Sequence, residues 1–546
     1  MALKEAVGTT TRRDRTRHDD RIAVEVGSRK SRVNARELWP LWLFAFLLFF
    51  RLDAAPLYIL DEVKNAQCAR EMLQRGDPVV PTFNGELRTD KPVLHYLFMM
   101  ASYSMFGFSP FAARFFSSFF GLLALTVTYV SARRFINRQT ATWVAAVLAL
   151  STHWTFEFRL AVPDPYLIAF TTVGLTSGYA WLEGQGRGYL YLSSLSLALA
   201  VLTKGPVALA LPGLCLLSWS LLGGSWKRWR LTDIATASLL LLAVVLPWYL
   251  AVHEATTGEW TRGFFIRHNL DRFSGPMEGH GGSFALPVVF LAAGMLPSSV
   301  IALHAFRIRS VLLKEPFVRF SLLVVCAHLI VYGVSATKLP HYAMPAYPFA
   351  AVILGRCLRL STAGHAHRFP KYIVAIPMGL LWLFPVAGYM ALASEMDLAD
   401  LKWVSLWLLA GPLLASTLLL SRRAGISMHP LLPVSAGWLV FNLVGLHLAY
   451  PLVYSRNPVA RTKELVSAAP RMAAYGMYNP AFNIVLDDPI IRFRDRDSLL
   501  AWMDANPGAL VVSRKGMSDT LKDSGLRVLA EQKDLFEKPT SVILGR

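Results

Sequence analysis

The chain has 546 residues, of which 54% are hydrophobic and only 17% are charged, and its mean hydropathy is +0.41. Soluble domains carry about 25% charged residues, and runs that approach membrane-span length recur here, so a soluble globular fold is excluded. The net charge of +19 is explained by basic loops on the cytoplasmic side of a membrane protein, so we expect no nucleic-acid partner. The four cysteines are scattered and fit neither a disulfide framework nor a metal site.

Apolar runs organise the chain between two polar ends. Residues 1–37 are basic and lack the apolar core of a signal peptide, which predicts a cytoplasmic tail. Residues 38–454 predict about thirteen transmembrane helices, with the ambiguous run 93–107 lying along the outer surface or re-entrant. This assignment places the most basic loops in the cytoplasm, as the positive-inside rule requires.

The same topology places the unusual polar loops on the outer face of the membrane. The largest is the first outer loop, residues 54–110, and the others are 157–164, 203–206, 253–284 and 337–342. Long, charged loops are more often functional than accidental. The chain has no G-x-x-x-x-G-K-[ST] loop, so we expect no nucleotide cofactor and a pre-activated lipid substrate.

A polar segment, residues 455–546, follows the last span. Its pattern predicts a small α/β domain on the extracytoplasmic side. The helix-like runs are 497–505 and 518–524, and the strand-like runs are 482–486, 509–513 and 540–544.

Three carboxylates stand out in the outer loops. Asp61 and Glu62 open a predicted helix that Gly76 is placed to end, and Asp164 precedes Pro165 at the start of a span. Asp61 and Asp164 are good N-cap residues, which is a sufficient structural explanation for each. A pair of carboxylates at helix ends on one face also suits acid–base chemistry or a metal.

Cations occur in the outer loops, where the positive-inside rule does not require them. Any single one is explained by a side chain that snorkels to the surface, but together they suggest a bound anion, most naturally a phosphate. Tyr342 fits either a phosphate donor or an interfacial aromatic anchor. The cations are Lys91, Lys204, Arg267, Arg272 and Lys338.

His268 is either a structural loop residue or a ligand of a divalent cation (zinc, magnesium or manganese), together with Asp61 or Asp90.

Short segments in the outer loops form a recognisable pattern. They are AREML (69–73), GDPVVP (76–81), NG (84–85), DKP (90–92), RLAVPD (159–164), KGP (204–206), HNLDRF (268–273) and KLPHY (338–342). This pattern resembles the GT-C glycosyltransferases, especially the branch with bacterial aminoarabinose transferases and protein O-mannosyltransferases. The acid before Lys91 is Asp90 here, whereas the aminoarabinose transferases typically have Glu at that position.

The resemblance implies an inner-membrane glycosyltransferase that takes a sugar from a polyprenyl phosphate on the periplasmic side. Asp61 then matches the catalytic carboxylate and Asp164 a second functional acid. Lys91, Arg272 and Tyr342 match positions that bind the donor phosphate. The outer cations Lys204 and Lys338 are further candidates for the same role. Asp90 and His268 match a metal site.

The acceptor is expected to be a lipid A-like glycolipid, with a protein as the alternative, and the enzyme is expected to act as a monomer. A lipid or sugar flippase or transporter is the rival from another class, as is a non-catalytic envelope scaffold. The transporter is disfavoured by the concentration of polar residues on one face, because transporters usually carry ionisable residues at mid-membrane. The scaffold is disfavoured by the dense first outer loop, residues 54–110.

The predicted orientation can be tested by thiol labelling. We expect a cysteine at Ser274 to react with a membrane-impermeant thiol reagent in cells whose outer membrane is permeabilised. A cysteine at Ser310 should not react until the inner membrane is opened. The reverse pattern would contradict the predicted topology.

Overall fold

The computed structural model describes residues 38–270, 281–362, 370–423, 429–486 and 488–546, with side chains in these ranges except 267–270 and 422–423. The predicted tail 1–37 and the predicted phosphate ligand Arg272 lie outside these residues.

The first half of the membrane region is almost entirely helical. Its helices in chain order are α1 (Trp39–Phe49), α2 (Leu60–Arg75), α3 (Leu94–Phe106), α4 (Pro110–Phe135), α5 (Arg138–Leu150), α6 (Thr152–Glu157), α7 (Asp164–Leu182), α8 (Arg187–Lys204), α9 (Val207–Leu222), α10 (Leu231–Ala255) and α11 (Glu259–Arg262). A 3₁₀ turn covers Ser225–Arg228, and a π-helical segment covers Gly263–Leu270.

The second half continues with α12 (Leu286–Gly294), α13 (Ala302–Arg307), α14 (Arg309–Leu312), α15 (Pro316–Val334), α16 (Tyr347–Thr362), α17 (Tyr372–Ser394), α18 (Ala410–Arg423), α19 (Leu431–Val444) and α20 (Tyr450–Tyr454). Segments of 3₁₀ helix cover Ser298–Ile301, Pro340–Ala346 and Met396–Leu409, and a π-helical segment covers Gly445–Ala449.

Six helical segments in the described ranges are long and apolar enough to cross a membrane, and a pair bent by 112° would make a seventh. The predicted count of about thirteen is therefore not confirmed. Several predicted spans form short helices, such as α5, whose 13 residues extend about 20 Å against a hydrocarbon core of about 30 Å. The six are Pro110–Phe135, Leu231–Ala255, Pro316–Val334, Tyr372–Ser394, Met396–Ser421 and Leu431–Tyr454.

Helix α2 begins at a different residue from the one that its sequence suggests. Its end is as predicted, because Gly76 has a left-handed conformation (φ 66°) and its N–H reaches back to the helix carbonyls. The N-cap is Ile59, with no side-chain cap, and Asp61 is already the second helical residue. The prediction that Asp61 is the N-cap is therefore wrong, and no capping role accounts for its carboxylate.

A buried ion pair joins the first outer loop to the membrane helices. Arg114, on α4, places Nε 2.6 Å from Glu62 Oε1 and Nη2 2.8 Å from Oε2, and both side chains are almost fully buried. Its Nη1 also donates to the carbonyls of Leu52 and Ala55, at 3.0 and 2.8 Å. The backbone N–H of Ala161 donates to Glu62 Oε1 at 3.0 Å. Glu62 therefore fixes three separate segments around the start of α2.

Arg159 plays a similar part beside it. Its guanidinium donates four hydrogen bonds of 2.8–3.0 Å to the carbonyls of Leu47, Leu48, Phe50 and Arg51. These carbonyls lie at and beyond the end of α1, where helix geometry leaves them without intrahelical partners. Arg159 thus ties the 157–164 loop to the end of the first membrane helix.

A small hairpin continues the first outer loop. Strands β1 (Thr82–Phe83) and β2 (Glu86–Leu87) pair antiparallel. The carboxylate of Glu71 accepts from Thr82 Oγ1 at 2.7 Å and from the N–H groups of Asn84 and Gly85, at 2.7 and 3.2 Å. One helix side chain therefore orders the whole turn.

The C-terminal region confirms a sheet domain with flanking helices α21 (Pro458–Arg461), α22 (Lys463–Ala468), α23 (Arg496–Ala505) and α24 (Lys515–Ser518). Its strands are β3 (Met472–Tyr475), β4 (Ile491–Phe493), β5 (Leu510–Arg514), β6 (Arg527–Lys533) and β7 (Thr540–Gly545), in the order β4-β3-β5-β7-β6. β3 is parallel to β4 and β5, whereas β7 is antiparallel to β5 and β6. The predicted strand at 482–486 is wrong: Pro480–Ile484 forms a 3₁₀ helix, begun by Asn479.

The C-terminal domain contacts the hairpin of the first loop. The side-chain oxygen of Asn84 accepts from Ile490 N–H and from Asn483 Nδ2, both at 2.7 Å, and Asn84 Nδ2 donates to the Ile490 carbonyl at 2.9 Å. Arg70 Nη1 donates to the Leu486 carbonyl at 3.0 Å. The domain and the first loop therefore share one face of the molecule.

The Glu62–Arg114 pair gives a stability prediction. Glu62→Gln leaves the buried Arg114 guanidinium without a counter-charge, so we expect unfolding to become easier by about 3–5 kcal/mol. Thermal melting in detergent measures this. Arg75→Gln is the control, because Arg75 is partly exposed and lies 3.9 Å from Asp77. That change should cost about 1 kcal/mol or less. Equal melting of Glu62→Gln and wild type would contradict the role of the pair.

Candidate active site

Asp164 and Lys204 form a buried ion pair at the ends of two adjacent helices. Asp164 is the first residue of α7 and Lys204 the last of α8, and Lys204 Nζ lies 2.6 Å from Asp164 Oδ1. The N-cap of α7 is Pro163, without a side-chain cap, so the N-cap interpretation of Asp164 is wrong. Its carboxylate is held by a lysine instead, and the pair is positioned by both helices.

Tyr342 lies beside this pair. Lys204 Nζ is 5.4 Å from the centroid of the Tyr342 ring, within the range of a cation–π contact. The ring also packs near His341 and Tyr332, with centroid distances of 5.0 and 5.1 Å. The sequence-predicted residues Asp164, Lys204 and Tyr342 are thus brought together from parts of the chain about 40 to 180 residues apart.

Glu157 belongs to the same cluster, although the sequence analysis did not select it. Burial and the negative charge of Asp164 raise the pKa of Glu157. Burial would also raise the pKa of Asp164, but Lys204 and His341 hold it below its ordinary value. The pKa values of the two carboxyl groups are therefore shifted in opposite directions. Their surroundings favour the protonated form of Glu157 and the anion of Asp164, which pairs with Lys204.

Asp61 and Lys91 lie within electrostatic reach of this cluster. The charge of Asp61 acts on Glu157 and His341, and the charge of Lys91 acts on Asp164 and His341. Burial lowers the pKa of His341 to about 4, because the nearby Asp164 and Asp61 carboxylates only partly offset it. The imidazole is therefore neutral at pH 7 and can accept or donate a hydrogen bond without carrying charge.

Asp61 differs from the other carboxylates in its surroundings. It is exposed at the start of α2, and it makes no hydrogen bond or ion pair with any residue in the described ranges. Its neighbour Glu62 is fully buried against Arg114. Two adjacent acids therefore have separate environments: Glu62 has a structural partner, and Asp61 is open to a substrate.

Lys338 is placed differently from the other predicted phosphate ligands. It is buried, and its Nζ donates to the carbonyl of Ser335 at 2.7 Å, just beyond the end of α15. A cation there also complements the negative end of that helix. The structure therefore assigns a helix-end contact to Lys338, whereas Lys204 contacts the acidic cluster.

The predicted metal ligands are not assembled by the described residues. Asp90 Oδ2 lies 3.4 Å from Nε of Arg88, and the side chain of His268 is outside the described part of the chain. Within that part, no group of three or more His, Cys, Asp or Glu side chains is suited to hold a metal ion.

A sequence signal for Glu157 did exist. The carboxylate interrupts the apolar run THWTFEFRL at the outer end of a predicted span, where an ionisable group is costly unless it is paired or functional. The same reasoning selected Asp61 and Asp164. Arg114 carried a similar signal in PFAARFF, but no local pattern identified Glu62 as its partner.

The sequence is similar to known glycosyltransferases over part of its length. Residues 41–261 match a family model described as dolichyl-phosphate-mannose-protein mannosyltransferase. The chain is 30% identical over 336 residues to an undecaprenyl phosphate-alpha-4-amino-4-deoxy-L-arabinose arabinosyl transferase of Shewanella sediminis. It is 32% identical over 337 residues to that of Pseudomonas paraeruginosa. Each alignment covers 60% of this chain and 60% of the relative.

The fold similarity extends further along the chain. The crystal structure of ArnT from Cupriavidus metallidurans bound to undecaprenyl phosphate superposes with a TM-score of 0.75 at 20% identity. The superposition covers 93% of this chain and 97% of that one. The predicted GT-C membrane fold is therefore confirmed.

The buried Glu157 gives a pH prediction. Its folded-state pKa is raised to about 8 from an ordinary value of 4.5, so the protonated form favours the folded state. This contribution is complete below the unfolded pKa and is lost as the pH rises through the folded pKa. We expect the melting temperature to fall between about pH 5 and pH 8.

Glu157→Gln keeps the shape of the neutral carboxyl and should flatten this dependence. Glu183→Gln, on an exposed glutamate outside the cluster, is the control and should leave it unchanged. Parallel melting curves for wild type and Glu157→Gln across this pH range would contradict the assignment.

Proposed function

We propose that this chain is a glycosyltransferase of the bacterial inner membrane, which moves a sugar from a polyprenyl phosphate to an acceptor on the periplasmic face. The observation that carries the proposal is the Asp164–Lys204 pair beside Tyr342, within reach of the open carboxylate of Asp61. It combines an anion-binding group with a free proton acceptor at the ends of membrane helices, where a lipid phosphate resides.

Lys204 supplies the central contact to the donor phosphate. An ammonium group has three donors, and Asp164 uses one of them, so the others remain for phosphate oxygens. The Asp164 contact holds Lys204 in place, and Lys91 adds a second positive charge to the same region. Tyr342 borders this position and offers a hydroxyl. We include Arg272 in this set on the strength of the family resemblance.

Asp61 acts as the general base in this proposal. The acceptor hydroxyl gives its proton to Asp61 while its oxygen forms a bond to the anomeric carbon. The bond from that carbon to the phosphate oxygen breaks, and the lipid phosphate leaves as an anion. Lys204 and Lys91 stabilise the charge that develops on the leaving group. A single displacement of this kind inverts the anomeric centre.

The acceptor we propose is a lipid A-like glycolipid. The similarity to relatives named as aminoarabinosyl transferases supports this choice. A protein acceptor is the second candidate, supported by the match of residues 41–261 to the protein mannosyltransferase model. We further propose a cytoplasmic N-terminus, a periplasmic C-terminal domain and action as a monomer.

A transporter has less support from the structure. Two histidines interrupt the interiors of the predicted spans, at positions 328 and 447. His328 Nδ1 donates to the Val324 carbonyl at 2.8 Å, and His447 Nδ1 donates to the Phe50 carbonyl at 2.9 Å. Each imidazole therefore binds a backbone carbonyl, and this structural role accounts for both histidines without an ion pathway.

The Asp61→Asn variant tests the proposal. It keeps size and polarity but removes the proton acceptor, so we expect transfer to fall by about a hundredfold to ten-thousandfold while melting stays close to wild type. Mass spectrometry of envelope lipids from expressing cells, beside a deletion strain, measures the product and identifies sugar and acceptor together.

Asp53→Asn is the matched control, because Asp53 is an exposed acid that lies just before the same loop. It should retain full transfer. An active, normally folded Asp61→Asn protein would refute the base, and envelope lipids and proteins unchanged by deletion of the gene would refute the transferase.

A further inference from the structure

A concave surface lies between α9 and α15, away from the candidate active site. It is an open groove with a volume of about 960 Å³. Its walls are mostly apolar, and several large side chains in it are exposed: Leu214 and Leu222 from α9, and Leu322 and Ile330 from α15. In a membrane protein such an apolar surface faces the hydrocarbon chains of the lipids.

One end of the groove is polar. Arg228 and Arg319 line it, together with Glu183. Arg319 is positioned by Trp219, whose ring centroid lies 5.9 Å from the guanidinium carbon, and Trp219 Nε1 donates to Glu183 at 3.3 Å. Both arginines are exposed and line the groove. With one glutamate against two arginines, this end carries a net positive charge.

The basic end lies far from the candidate active site. Helix α9 starts three residues after Lys204 and runs 16 residues to Leu222, which is about 24 Å. Arg228 follows that far end. Helix α15 runs antiparallel to it, since Arg319 is in its first turn and its last residue, Val334, precedes the segment that bears Tyr342. The arginines therefore cannot hold the phosphate that Lys204 holds.

We propose that this groove binds one anionic phospholipid of the phosphatidylglycerol class. Its phosphate contacts Arg228 and Arg319, and an acyl chain lies along the apolar walls of α9 and α15. The arrangement of the groove supports this occupant, because the charge is at one end only and the remainder is lined mostly by aliphatic side chains. In the proposed topology this end faces the cytoplasmic leaflet, where anionic headgroups attract basic side chains.

Native mass spectrometry of the full-length protein tests the proposal. The protein is released from detergent micelles that contain phosphatidylglycerol or phosphatidylcholine with the same acyl chains. We expect one phosphatidylglycerol to be retained in preference to phosphatidylcholine. The double variant Arg228→Gln/Arg319→Gln should weaken that retention by about thirtyfold, since two cationic contacts to an anionic headgroup are lost.

The matched control is Arg307→Gln/Arg309→Gln. It removes the same charge from two exposed arginines that do not line the groove, and it should leave retention unchanged. Equal retention of both lipids, or an equal loss in the control, would overturn the proposal.

Ala327→Trp provides a second measurement, because Ala327 lines the apolar part of the groove. Filling that part should also displace phosphatidylglycerol. A third set of micelles contains undecaprenyl phosphate. If Ala327→Trp displaces only that lipid, and the arginine variant has no effect, the groove holds a polyprenyl chain and the proposal fails. The readout is lipid retention, so its outcome is independent of whether the chain transfers a sugar.

Discussion

The buried Glu62–Arg114 pair is the constraint on which the outer face depends. A charge without a partner is costly inside a protein, so each member requires the other. Arg114 also binds carbonyls from the segment after α1, and Glu62 binds the backbone at Ala161. The start of α2 is thereby fixed relative to α1, α4 and the 157–164 loop. Asp61, the preceding residue, takes its position from this arrangement.

The candidate site differs from this fully paired ion pair. The charge of Lys204 is balanced by Asp164, but not all of its hydrogen-bond donors are used. Asp164 occupies one of the three N–H donors of Lys204, and Glu157 adds no further negative charge while it stays protonated. If both acids were ionised, two carboxylates would flank the ammonium, and their negative charge would weaken its attraction for an incoming phosphate. Burial of Glu157 therefore preserves the positive character of Lys204 that an anionic lipid requires.

Sequence patterns predicted this protein well where the signal is local and poorly where it is distant. Gly76 ends α2 because the residue after the helix adopts a left-handed conformation, which glycine favours, so the sequence itself indicates the helix end. The N-cap interpretations of Asp61 and Asp164 failed because a neighbouring residue occupies each cap position. The side chain of Asp164 is bound instead by a lysine 40 residues further along the chain, which no local pattern reveals. The strand predicted at 482–486 failed because Asn479 and Pro480 start a 3₁₀ helix that keeps the apolar residues buried. The short strand β3 (MAAY) has little β-branched content and left no strand signal.

The contact between Asn84 and Ile490 joins residues that are 406 positions apart in the chain. During synthesis the hairpin emerges early, whereas its partner emerges only after all the membrane helices have been made. The last hydrogen bonds of the first loop can therefore form only after nearly the entire protein has been synthesised. A chain that stops before the C-terminal sheet leaves the carbonyl and amide groups of the hairpin open to water. Assembly of the outer face is thus a late event in biogenesis. The first outer loop, which carries Asp61, gains its last contacts only when the C-terminal domain has been made.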